Sequence, residues 1–114
     1  MVLKHTHQQV AALMNMFHNF VLTSPVKSLN EKLLQIHMIG IYRKLRSQFE
    51  GKQRKSYSLH LNEAEAIAYQ LYWIMVQLPE SYEFNFIRAH MAQIEHEMTK
   101  YNYHPSPVTK YLNQ

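Results

Sequence analysis

The sequence predicts an all-α chain: a single up-and-down four-helix bundle with a long basic connector between the second and third helices. Three observations predict it. The 114 residues include only two Gly and four Pro, too little punctuation for many short strands. All eight acidic residues are Glu, the better helix former of the two acids. Apolar residues recur at i, i+3, i+4 and i+7 in four separate segments.

The first segment spans 8–22, where Val10, Leu13, Met14, Phe17, Phe20 and Val21 share a helix face and Thr23-Ser24-Pro25 stops it. The second spans 29–49. Ser28 and Glu31 have the spacing of a capping box. Leu34, Met38, Ile41 and Leu45 form its stripe, widened by Leu33, Ile36 and Ile39. Gly40 lies mid-helix, about 1 kcal/mol worse than Ala there, and is expected where a neighbouring helix packs closely.

Gly51 ends the second segment. Tyr57, Leu59 and Leu61 then alternate with Ser58 and His60, a period-2 pattern expected to form an extended crossover or one strand of an intermolecular pair. The third segment starts at Asn62, with Glu65 in the reciprocal capping position, and runs to 78. Ala64, Ile67, Ala68, Leu71, Ile74, Met75 and Leu78 make the face expected to meet the core. Tyr69, Tyr72, Trp73 and Val76 cover much of the rest, and such a surplus aromatic face is expected to be an oligomer interface unless the bundle itself wraps this helix on every side. The fourth segment spans 80–101. Phe84, Ile87, Met91, Ile94, Met98 and Tyr101 alternate three and four apart, the seam of antiparallel packing. One domain is expected over 1–104, with an irregular tail over 105–114 after Pro105 and Pro107.

Charge is segregated. Residues 1–61 hold nine Lys and Arg against two Glu, a net of +7, and residues 62–114 hold three against six, a net of −3. Arg43, Lys44, Arg46, Lys52, Arg54 and Lys55 form one basic stretch interleaved with Tyr42, Phe49 and Tyr57. That pattern fits a nucleic-acid or other polyanion surface, with aromatic rings to stack bases. It equally fits a helix C-terminus matched to its dipole and followed by a solvated loop. The absence of Cys excludes disulfides and thiolate metal sites and suits a reducing cytoplasm. No apolar run approaches a membrane span, so no membrane partner is expected.

Chemistry-bearing motifs are missing. Eight His include no pair at i, i+3 or i, i+4, so no metal or other cofactor is expected. Glu63, Glu65, Glu80 and Glu83 sit at helix starts, where the dipole already explains them.

The run 57–66, Tyr-Ser-Leu-His-Leu-Asn-Glu-Ala-Glu-Ala, resembles the lead-in to a helix in small uncharacterised all-α bacterial proteins of unknown function. Asn85-Phe86-Ile87-Arg88 with Gln93-Ile94-Glu95 is similar to their last helix. The resemblance implies a bacterial origin and no activity. The sequence therefore reads as a non-enzymatic helical interaction module that pairs with itself or with another protein. A nucleic-acid-binding accessory protein is the alternative, and an enzyme with a scattered site is the third reading.

Overall fold

The computed structural model describes residues 1–77 and 84–102, with side chains through Met98. The described residues are mostly helical. Strand β1 (Val2–His5) precedes helix α1 (His7–Phe17), which continues into a π-helical turn at His18–Leu22. Helix α2 (Leu29–Glu50), strand β2 (Tyr57–His60), helix α3 (Glu63–Val76) and helix α4 (Asn85–Asn102) follow. The expected helix over 80–83, the end of α3 at Leu78 and the tail over 105–114 lie outside the described residues.

Local sequence explains the starts of α1, α2 and α3. Thr6 and Gln9 form a reciprocal capping box on α1. Ser28 caps α2 by accepting from the Glu31 amide at 3.1 Å. The Glu31 carboxylate, however, accepts from the Lys27 amide rather than from Ser28, so the box is displaced by one residue. Asn62 and Glu65 cap α3 reciprocally, at 2.8 and 3.0 Å. The π-helical turn widens the end of the first helix and frees carbonyls that side chains then occupy. Thr23 Oγ1 donates to His18 and Asn19, and Ser24 Oγ and Tyr72 Oη donate to Phe20. Gln35 Nε2 donates to Val21 at 3.0 Å.

The period-2 stretch is half of an antiparallel ladder within the chain, in the register Val2↔His60 through His5↔Tyr57. This corrects the expectation of an intermolecular strand. A two-stranded ribbon is marginal alone and exposes its edges. Here helix side chains cover both. On the β1 edge Gln93 Nε2 donates to Val2 O at 2.8 Å and His90 Nε2 to Lys4 O at 3.2 Å. On the β2 edge Gln48 Nε2 donates to Ser58 O at 2.8 Å and Lys44 Nζ to His60 O at 2.9 Å. The ladder is thus clasped between α4 and α2.

Beneath it the core gathers Leu3 and Leu59 from the ladder, Leu13 and Phe17 from α1, and Met38, Ile41 and Leu45 from α2. Tyr69, Tyr72 and Trp73 of α3 and Ile87 and Ile94 of α4 complete it. Helices α2 and α3 run antiparallel. Lys44 meets Glu65 near one end of the pair, while Gln35, Tyr72, Met75 and Val76 line one cleft near the other.

Candidate interaction surface

The rotation of α3 about its axis decides which face is free. The sequence assigns Tyr69, Tyr72, Trp73 and Val76 to an interface. The structure turns the three rings into the core and packs half-buried Val76 against it. Trp73 is 1% exposed and meets the rings of Phe17, Tyr69 and Tyr72 edge to face. The Tyr72 hydroxyl donates to Phe20 O at 2.7 Å, and the Tyr69 hydroxyl lies 3.1 Å from His90 Nδ1. Large rings fill a core volume that aliphatic side chains would leave open, and the two tyrosine hydroxyls reach partners there, whereas Trp73 Nε1 is buried without a partner among the described residues.

The opposite face, expected to be core, is the exposed one. Ile67, Leu71, Ile74 and Met75 are all exposed, as is Ala64 at the helix start, and from that predicted face only Ala68 is buried among the described residues. The setting is locked at Glu65. Its carboxylate receives the Asn62 amide and Lys44 Nζ at 2.7 Å. Burial alone would raise the Glu65 pKa, but the Lys44 hydrogen bond, the Asn62 amide and the Lys44 and His37 charges outweigh it and hold the carboxyl below its ordinary value.

A matching stripe runs along α2. Leu29 (87% exposed), Leu33 (57%) and Ile36 (54%) face solvent, and Gly40 continues their four-three-four spacing. The expected close packing at Gly40 is not made among the described residues. A methyl group added there would have Glu65 Oε2, at 3.9 Å, as its nearest neighbour, which is ordinary contact. With Ile67, Leu71, Ile74 and Met75, the two stripes expose on the order of 700 Å² of apolar surface, above the largest patch of a typical monomer. The α2 line borders α3, since Gly40 lies nearest to Glu65 and the two helices are paired antiparallel.

The basic stretch divides in two. Lys44 is taken up by Glu65 and His60 O, and Arg46 by Glu50 at 2.8 Å. That contact, with the Glu50 charge, holds the fully exposed Arg46 guanidinium above its usual pKa. Among the described residues, the side chains of Arg43, Lys52, Arg54 and Lys55 carry no ion pair and are exposed. The interleaved aromatics do not form a stacking platform. Tyr57 is buried, with its hydroxyl accepting from the Arg54 amide at 2.8 Å, and Tyr42 packs against the core. Phe49 stays exposed, with its ring stacked on His7 at 5.4 Å.

One cluster has no signature in local spacing. His5 and His90 are both buried, with ring centroids 6.2 Å apart, although 85 positions separate them. Hydrogen bonds set their tautomers. Lys4 O can only accept, so His90 carries its proton on Nε2 and accepts from Tyr69 at Nδ1. Gln48 donates to Ser58 O, so its Oε1 accepts from His5 Nε2 at 3.0 Å. His5 Nδ1 is then a bare lone pair, buried without a partner among the described residues. Desolvation lowers both pKa values. The Gln48 bond opposes it at His5, and at His90 the Lys4 carbonyl opposes it while His5 adds to it. Burial pushes the Tyr69 phenol far up. These groups are neutral hydrogen-bonded structure. Among the described residues no group of three or more His, Cys, Asp or Glu could hold a metal ion.

Among the described residues, no helix is long and apolar enough to cross a membrane. Comparison of the chain with protein-family models, with curated proteins and with solved structures finds no match.

Proposed function

We propose that this chain is a small up-and-down helical bundle that acts as a non-enzymatic interaction module and forms a homodimer through the α2–α3 face. The observation that carries the proposal is the paired apolar stripe, Leu29, Leu33 and Ile36 beside Ile67, Leu71, Ile74 and Met75. Exposing these side chains is unfavourable by about 25 cal/mol per Å² relative to covering them. The area is close to the roughly 800 Å² per partner of a standard interface. A second copy fits because two antiparallel helices presented together are completed by an identical pair into a four-helix packing.

Sedimentation at micromolar concentration tests the reading. The wild type is expected as a dimer. Leu33→Glu combined with Ile74→Glu places charge on both stripes without entering the core, so it should give a monomer with unchanged helical circular dichroism. A wild type that stays monomeric to about 100 μM, a concentration corresponding to only about −5.5 kcal/mol of association, overturns the proposal. So does a charged double variant that still dimerises.

A second reading, a polyanion-binding accessory role, is favoured by the four exposed cations Arg43, Lys52, Arg54 and Lys55. Charge alone supports it, because the aromatic half of that pattern is turned inward or already stacked.

A further inference from the structure

The homodimer reading leaves open how the copies meet, and the face itself carries an answer. We infer that the twofold axis runs along the α2–α3 seam, so that α2 of each copy lies antiparallel on the partner's α3, with closest approach where Gly40 meets the partner's Ala64.

Gly40 is the first ground. A mid-helix glycine weakens its own helix. Nothing among the described residues requires it, since an added methyl group finds only Glu65 Oε2 there, at 3.9 Å. Yet it continues the line of three exposed apolar residues on a face that has no cover among the described residues. A glycine in that line lets a second helix backbone come close.

Register is the second ground. Gly40 is level with Glu65, and Gln35 shares a cleft with Tyr72 and Met75 at the other end of the pair. Rotation about the seam keeps each residue at its own level while exchanging the helices. Gly40 then faces the partner's Ala64, Ile36 falls between the partner's Ile67 and the partner's Leu71, and Leu33 meets the partner's Leu71. A small residue opposes a small one, and branched side chains oppose branched ones.

Charge is the third ground, and it separates this axis from the other simple choice. The apolar stripe of α2 is flanked by exposed Lys32 and Arg43, and that of α3 by exposed Glu63. The seam axis brings Arg43 level with the partner's Glu63. An axis across the helices would lay α2 on the partner's α2 and set cations against cations, which opposes association. The segregated charge of the sequence, basic in the first half and acidic in the second, becomes self-complementary only in the first arrangement.

Two measurements test this, and both rest on the homodimer reading without repeating its test. Gly40→Ala should raise the urea midpoint of the monomer, because alanine is the better helix residue and has room. The same substitution should weaken dimerisation about tenfold, a loss of about 1.4 kcal/mol. Because the chain has no Cys, disulfide trapping is clean. An equimolar mixture of Leu33→Cys and Leu71→Cys protein should cross-link chiefly as the mixed pair under mild oxidation. If Gly40→Ala leaves association unchanged or tighter, or if Leu33→Cys chiefly cross-links to itself, the register is wrong. Should the charged double variant above separate the copies while either of those results is found, only the register falls. Should that variant have no effect, the homodimer itself falls.

Discussion

Trp73 and Ile74 are adjacent in sequence and opposite in environment, so truncating each in turn measures which way α3 faces. Trp73 is 1% exposed and touches three aromatic rings, whereas Ile74 is 54% exposed. Trp73→Ala removes a fully buried ring and leaves a cavity, a loss of about 3–5 kcal/mol. At about 0.05–0.15 kcal/mol per residue, the whole chain is stable by roughly 6–17 kcal/mol. The substitution therefore removes a large part of the total. Ile74→Ala forfeits at most about half of the 1.5–3 kcal/mol of a fully buried side chain. Alanine returns a few tenths of a kcal/mol in helix propensity, so the net loss is about 1 kcal/mol or less. Urea unfolding followed by far-ultraviolet circular dichroism reads both. With a slope of about 1.5 kcal/mol per M, the Trp73→Ala midpoint should fall by roughly 2–3 M and the Ile74→Ala midpoint by under about 1 M. Repeating the experiment at two protein concentrations separates any loss of self-association from loss of fold. A larger effect at Ile74 than at Trp73, at concentrations where neither is associated, would show that α3 faces as its periodicity alone reads and would refute the assignment of its faces.

Stability should fall in mild acid. The folded pKa values of His5 and His90 lie below their ordinary 6.5, so the unfolded chain takes up protons first. Their contribution is present in full above that pH and is lost as pH falls through 6.5 toward the folded values. Urea midpoints between pH 8 and pH 5 should trace this, and His5→Gln together with His90→Gln should flatten the profile. Lys44→Met leaves the Glu65 carboxylate with less compensation in a buried position. It should lower stability by about 1–2 kcal/mol, and Glu65→Gln in the same chain should recover part of that loss, measured as a double-mutant cycle. If nucleic acid binds residues 43–55, the four exposed cations without an ion pair among the described residues limit the slope of log K against log salt to about −3 to −4. Fluorescence anisotropy that gives a steeper slope would show that Lys44 and Arg46 also leave their partners to bind phosphate.

Much of the helical frame was legible in single residues. Ser28, Asn62 and Glu65 mark helix starts because a capping side chain serves amides only a few positions away, and that geometry is local. The stripe Met38, Ile41 and Leu45 was legible for the same reason, as one row of an amphipathic helix. Strand β1 was not. Four residues carry too short an alternation, and their partner lies more than fifty positions away. The edges of the ladder are finished by Gln48 and Gln93, whose roles exist only once α2 and α4 are in place. The candidate surface was legible as a composition and misread as a face. Apolar residues surround α3, so periodicity fixes its existence but not its rotation.

By itself, then, the sequence determined a helical chain, its caps, its segregated charge and the surplus of apolar surface on α3. These follow from local propensity, short-range hydrogen bonding and counting. The tertiary structure alone decided which side of that surplus is core, because volume, the reach of the Tyr72 hydroxyl to Phe20 and the hold of Lys44 on Glu65 are properties of neighbours distant in sequence. It likewise brought His5 beside His90 and left Gly40 on an open face.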